Sequence, residues 1–228
     1  YQSCFSYLYL LSKIKLKNQL NQMPFLKDFI INQNTKIKLW EIHLGELDYQ
    51  GLDQYDSHLL KSKKNQLSKE QFLAVRKILQ LENPSYKIRY DELGKPSINS
   101  DLNISISHSN LMAAIVLSGY NKTGIDIELK ESKILNIQDK FLNETEKVST
   151  KYESDIGYLT KIWTAKEAIY KALGKKGISF SDNIIIKKIS NNKGEGHYLR
   201  GKEKEKFDLN FFYIDKYILC YAQQNEKL

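Results

Sequence analysis

Cysteine is nearly absent: Cys4 and Cys220 stand far apart in 228 residues and belong to no CxxC or Cys/His spacing. Neither a disulfide framework nor a zinc site is expected, and a reducing, cytoplasmic setting fits. Three prolines and eleven glycines leave little room for a flexible linker or disordered tail. Arginine is scarce too, with only Arg76, Arg89 and Arg200. Readers of base edges depend on the planar guanidinium, so this scarcity argues against sequence-specific nucleic-acid recognition. No apolar run approaches the roughly 20 residues that span a bilayer. The apolar stretch from Cys4 to Leu11 is short, has no charged region ahead of it and no small-residue cleavage site behind it. It is expected to be neither signal peptide nor membrane anchor. Walker A, GxGxxG, GxSxG and HExxH patterns are all missing, which leaves nucleotide-hydrolase loops and serine-hydrolase triads unsupported.

What is present describes a folded protein. Hydrophobic residues at 41% and charged residues at 27% are globular values, and the length suits one large domain or two halves of roughly 100 residues. Thirty-five basic side chains against 27 acidic ones give a formal charge of +8, which attracts anionic partners. With fifteen tyrosines able to stack on bases, that charge keeps a basic nucleic-acid-binding module as an alternative reading. Met23-Pro24 reads as a natural start, so residues 1–22 are expected to be an N-terminal extension or tag, the other reading being an ordinary N-terminal helix.

Apolar alternation predicts a strand over Thr35 to Leu44, with a slip in register. From Tyr55 to Asn83, leucines and Phe72, Val75 and Ile78 recur at helical intervals, which predicts two packed helices, the second opened by a capping box of Ser68 and Gln71. A strand through Tyr86, Ile88 and Tyr90 turns at Gly94 and Pro96. A short strand at Ile104 and Ile106, a polar break SHSN, and a second strand from Ala113 to Leu117 follow. Tyr120 to Gly124 is expected to make a hairpin turn into the strand GIDIE. Two helical segments, KILNIQDKFLNETEKVS and YLTKIWTAKEAIYKALGKKG, precede the antiparallel strands NIIIKKI, HYLRGKE and FDLNFFYIDKYILCYA. Strand, helices and strands occur once before Gly119 and once after it, a hint of duplication.

Asp126 and Glu128 are two apart on a strand and share one face, with Ile125, Ile127 and Leu129 on the other. Two carboxylates that close raise each other's pKa unless a cation sits between them, and a hard ion such as Mg²⁺ suits them. The plainer reading is a solvated acidic face. On the helix IWTAKEAIYKALG, a wheel puts Ile162, Trp163, Ala165, Ile169, Ala172 and Leu173 on one arc and Thr164, Glu167 and Lys171 opposite. Glu167 and Lys171 then pair at i,i+4, which by itself describes an ordinary surface helix. Lys166 falls inside the apolar arc, where a lysine must snorkel or meet an anion. His108, at a strand end between Ser107 and Ser109, reads either as a satisfied structural histidine or as a ligand contact.

LGKP, ISHS, GIDIE and WTAKEAIYKALGKKG, in this order and with these gaps, resemble the motifs of the Sfp-type 4'-phosphopantetheinyl transferases over roughly Asn34 to Ala222. The resemblance implies an α+β fold of two similar halves in a pseudo-twofold arrangement, residues 23–119 and 120–228, each a three-stranded antiparallel sheet on a long helix. It implies a cytoplasmic monomer with coenzyme A between the halves, which moves the phosphopantetheine arm to a serine of an acidic apo acyl or peptidyl carrier protein and releases adenosine 3',5'-bisphosphate. Neither nucleic acid nor membrane is then an expected partner. By match, Asp126, Glu128 and Glu167 hold Mg²⁺, or Mn²⁺ in its place. Glu167 is the candidate base, Lys171 neutralises charge at the pyrophosphate, and Lys166 serves the phosphates. Ser107 and His108 match contacts to coenzyme A phosphates, and Lys95 with Pro96 matches the loop beside the adenine. The family's N-terminal basic cluster has no clear counterpart, leaving Lys61, Lys63, Lys64 and Arg76 as candidates, and its extra acidic residue falls at Glu144 or, better, Glu146. A relative that binds coenzyme A or a carrier without turnover is the remaining alternative.

Overall fold

The computed structural model describes residues 26–48, 51–149 and 155–225; the extension expected at residues 1–22 lies outside them. The chain begins with the strands β1 (Leu26–Asn32) and β2 (Thr35–Glu41), followed by helices α1 (Gln54–Lys61) and α2 (Gln66–Glu82). The short hairpin β3 (Ile88–Tyr90) and β4 (Pro96–Ile98) leads to β5 (Asn103–Ser109) and β6 (Met112–Ser118). Then come β7 (Thr123–Leu129), a 3₁₀ turn at Ser132–Asn136, and the helices α3 (Gln138–Phe141), α4 (Glu144–Ser149), α5 (Ile156–Leu173) and α6 (Phe180–Asn183). The strands β8 (Ile184–Ile189), β9 (Lys193–Arg200), β10 (Glu203–Ile214) and β11 (Tyr217–Gln224) complete the described chain.

Two antiparallel sheets result, of order β1-β2-β6-β5 and β7-β11-β10-β9-β8. They have four and five strands rather than the three per half that the resemblance implies. The hydrophobic pattern explains their stacking. Ala113, Ile115 and Leu117 of β6 pack beneath α2 with Trp40, Ile78 and Leu79. Met112, Ala114 and Val116 point the other way, into a core shared with Ile125 and Ile127 of β7 and Leu219 and Tyr221 of β11. The first sheet is therefore covered on both faces, which is why β6 reads as an unbroken apolar run. Beyond the second sheet, α5 closes a third core with Ile218, Cys220 and Ala222. Cys220 is buried and its thiol is pushed well above the ordinary value by desolvation. No helix among the described residues is long and apolar enough to cross a membrane.

Three local expectations change. The cap of α2 is Asn65, whose side chain accepts from the Ser68 N–H while Ser68 answers to the Asn65 backbone. Asn65 is the better cap because its amide oxygen reaches the first orphan donors three residues earlier than Ser68 could. Gln71 instead donates to the Asn110 carbonyl, tying α2 to the β5–β6 turn. The segment SHSN is no break, since β5 continues through Ser109 and turns at Asn110, where φ is +48°. Finally, Tyr120 to Gly124 is not a hairpin turn: β6 already has β2 on one side and β5 on the other, so β7 crosses to pair with β11.

Candidate functional site

The strand β7 presents its odd and even residues to different worlds. Ile125 and Ile127 enter the core between the sheets, while Gly124, Asp126 and Glu128 face α5. Asp126 is 2% exposed, so a solvated acidic face is excluded. Its Oδ1 accepts from Ser107 Oγ at 2.8 Å and from Lys171 Nζ at 2.7 Å, and its Oδ2 is buried without a partner. Glu128 Oε2 accepts from Ser109 Oγ at 2.8 Å, and Oε1 accepts from the Trp163 indole N–H at 3.1 Å. Burial raises both carboxyls above their ordinary values, with Asp126 adding to the rise at Glu128. Glu167, one helical turn before Lys171, is pushed up to about 7 by burial and by the charge of Asp126, with Glu128 adding to it and Lys171 opposing. Lys171 thus bonds Asp126 and not its i,i+4 neighbour Glu167, because α5 lies against the strand rather than in solvent.

A ladder of hydroxyls explains how the two sheets meet here. The N–H groups of Ile125, Ile127 and Leu129 lie on the edge of β7 that β11 does not use, and such buried donors are costly if unpaired. Ser105, Ser107 and Ser109 of β5 accept them at 3.1, 3.2 and 3.3 Å. Ser107 and Ser109 then pass their own protons to the carboxylates. Ser107 and Ser109 therefore each fix a backbone position and a side chain at once, and the first sheet orients the acids of the second. Ser107→Ala removes one acceptor and one donor from this buried seam. It is expected to lower the unfolding free energy by about 1–3 kcal/mol in urea titration, with the midpoint moving and the slope unchanged.

Beside the carboxylates opens a cleft of about 350 Å³. Its walls include Lys63, Tyr90, Lys95, Pro96 and His108 from the first part of the chain and Tyr170, Lys171, Lys175 and Lys176 from the end of α5 and the loop after it. Five of these are lysines, a wall suited to a polyanion. Gly174, with φ +59°, ends α5, and the Lys95 side chain lies where a β-carbon on that glycine would stand, 2.9 Å from Cδ. The β3–β4 hairpin is thereby seated on the helix end. Desolvation and the charges of Lys171 and Lys63 hold the His108 imidazole below its ordinary pKa. It faces the cleft as a neutral donor or acceptor.

Several residues singled out from the sequence stand elsewhere. Lys166 is fully buried and donates to Glu146 Oε2 at 2.7 Å and to the Phe141 and Phe180 carbonyls at 2.6 and 2.9 Å. All three ammonium protons are used, so it neither snorkels nor reaches a ligand; desolvation lowers its pKa while Glu146 pulls the other way. Glu146 is the glutamate of a capping box with Asn143 and also accepts from the Ile186 N–H. Ser107 faces Asp126 instead of the cleft. Thr164, expected on the exposed side, is buried and bonds the Thr160 carbonyl. Arg76 is committed to Asp56 at 2.8 Å and lies 3.5 Å over the Phe72 ring. Of the N-terminal basic candidates only Lys63 lines the cleft, Lys61 and Lys64 being exposed.

Asp126, Glu128 and Glu167 offer only carboxylate oxygens, the donors of a hard divalent cation, and Asp126 Oδ2 is buried with nothing to accept from. That chemistry fits Mg²⁺. Among the described residues no three acidic, histidine or cysteine side chains yet converge as a cage. Lys171 sits on Asp126 in the cation's role, and Ser109 with Trp163 holds both oxygens of Glu128.

Residues 122–222 match the model of the 4'-phosphopantetheinyl transferase superfamily. The 4'-phosphopantetheinyl transferase gsp of Aneurinibacillus migulanus is 32% identical over 110 residues, 45% of this chain and 46% of that protein. The 4'-phosphopantetheinyl transferase AcpT of Salmonella typhi is 27% identical over 144 residues, 60% of this chain and 75% of that protein. The matched stretch therefore spans about half the length of the first relative and three quarters of the second.

Proposed function

We propose, from the match of residues 122–222 to the 4'-phosphopantetheinyl transferase superfamily, that the chain transfers the phosphopantetheine arm of coenzyme A to a serine of an apo carrier protein. One geometry supports this reading above all others: a lysine-lined cleft ends at buried carboxylates, and Lys171 belongs to both, lining the cleft and bonding Asp126. We read residues 23–119 and 120–228 as the two halves that supply its walls, so a monomer suffices.

Lys63, Lys95, Lys175 and Lys176 bind and orient the phosphates of coenzyme A by charge. Asp126, Glu128 and Glu167 would hold Mg²⁺, which when bound draws charge from the pyrophosphate oxygens and polarises the phosphorus under attack. The carrier serine Oγ forms a bond to the phosphorus that bears pantetheine, and the bond from that phosphorus to the bridging oxygen breaks. Adenosine 3',5'-bisphosphate leaves with the electron pair. The serine proton passes to Glu167, the carboxylate that α5 sets one helical turn before Lys171. Lys171 faces the leaving phosphate and stabilises the charge that gathers there. The +8 charge steers both the polyanionic cosubstrate and an acidic carrier.

The test is direct. Incubated with coenzyme A, Mg²⁺ and a panel of apo carriers from fatty acid, polyketide and nonribosomal peptide systems, the protein is expected to add the mass of the arm to at least one carrier. No gain on any carrier, with the protein folded by circular dichroism, rejects the transferase.

A further inference from the structure

The aromatic side of α5 has a construction that the transfer chemistry does not itself require. The Trp163 ring sits 5.3 Å from Phe141 and 5.4 Å from Phe180, centroid to centroid. These phenylalanines come from two different short helices, α3 and α6. Neither helix is longer than four residues, too short to hold its place by its own hydrogen bonds. Lys166 bonds both: it donates to the carbonyl of Phe141 and to the carbonyl of Phe180 while its third proton goes to Glu146. Glu146 in turn bonds the Asn143 and Ile186 N–H groups, so the ammonium is anchored to α4 and β8 as well. From this aromatic cluster the Trp163 indole N–H donates to Glu128 Oε1.

We infer that Lys166 is a positioning residue: by clamping the backbones of Phe141 and Phe180 it fixes the two rings against which the Trp163 indole packs, and the indole N–H sets the orientation of Glu128. This rests on the reading of Glu128 as a metal-holding carboxylate. Of its two oxygens one is held from β5 by Ser109 and the other from α5 by Trp163. The carboxylate plane is therefore determined by β5 on one side and by α5 on the other, and only the Trp163 side depends on the buried ion pair. Outer partners of this kind typically change metal affinity by about 10–100-fold when removed.

Three variants test it. Trp163→Phe keeps a ring against Phe141 and Phe180 and deletes the N–H. Lys166→Met removes the clamp, and because it takes the ammonium away from the buried Glu146 carboxylate, Lys166→Met with Glu146→Gln serves as a second version in which that position carries no charge. Mn²⁺ affinity is read by electron paramagnetic resonance and coenzyme A affinity by calorimetry without metal. The chain has two tryptophans, so Trp163→Phe assigns their indole signals in a ¹⁵N–¹H spectrum. Trp163→Phe and the clamp variants are expected to weaken Mn²⁺ binding about 10–100-fold and to leave coenzyme A affinity as it was. In the clamp variants exchange of the Trp163 indole proton is expected to quicken about tenfold, the loss of a hydrogen bond to a charged group. The Trp40 indole, bonded to Glu46, keeps its rate. Wild-type Mn²⁺ affinity in Trp163→Phe, an unchanged Trp163 indole in the clamp variants, or a parallel fall in coenzyme A affinity overturns the inference. Should the wild type bind no Mn²⁺, the metal reading fails, and the indole measurement alone decides the clamp.

Discussion

Glu167→Gln is expected to slow transfer of the arm by about 10³-fold at saturating coenzyme A, the range in which a positioned general base contributes. The substitution is nearly isosteric and leaves the packing of α5 in place. In the mechanism proposed above it removes the proton acceptor and one of three charged oxygen donors together, and the two losses act on the same step. Stability is expected to stay the same or rise, because the amide relieves a carboxylate crowded by Asp126 and Glu128 and desolvated by the helix. A slow variant with an undiminished melting temperature separates a site role from a folding role, which is the usual opposition between a strained site and a stable fold. Initial rates on a carrier, followed by mass spectrometry beside a thermal unfolding curve, check both halves of this expectation. A wild-type rate removes Glu167 from proton transfer and from metal holding alike.

Gly124→Ala is expected to be the most damaging single-methyl change in the chain, costing about 3 kcal/mol or more, the upper end of overpacking penalties. A β-carbon at Gly124 would stand 2.0 Å from the Ala168 carbonyl oxygen, 2.7 Å from the Ala172 nitrogen and 3.0 Å from the Ala168 carbonyl carbon. All three are backbone atoms of α5, so no side chain can rotate away. The helix must lift from β7, and with it Glu167 and Lys171 leave Asp126. Stability and transfer are therefore lost together, in contrast to Glu167→Gln. Gly196→Ala is the control: its β-carbon would come within 2.4 Å of Ile169 Cδ1, the movable end of a side chain, and a smaller cost is expected. Urea unfolding of the two variants side by side settles the comparison, and equal stabilities would show that the α5–β7 approach is not tight.

Much of the site was legible in the sequence because it rests on local periods. A spacing of two along a strand puts Asp126 and Glu128 on one face whatever surrounds them, and Gly174 can end a helix in the left-handed region without help. The serine ladder was half legible. Ser105, Ser107 and Ser109 repeat with the strand period, a signal that they share a face, but their partners lie on a strand of the other sheet. The helix wheel misled for the same reason. It assumes one apolar side and one wet side, whereas α5 is buried against β7 and β11 and also against α3, α6 and β8. Thr164 and Lys166 then lie in protein, and Lys171 is turned to a carboxylate that no local rule supplies.

The sequence by itself determined most of the strands and helices after β1, the antiparallel character of the last strands, and which two carboxylates of GIDIE share a face, because each depends on neighbours within a few positions; β1 (Leu26–Asn32) was not read from it. Only the tertiary structure decided that β7 leaves its sequence neighbour β6 for β11, since β6 has no free edge. It alone decided that Lys166 answers Glu146 while Lys171 answers Asp126. A buried charge takes the nearest opposite charge in space, and at separations of 20 and 45 residues that choice is made by how α5 lies on the sheet.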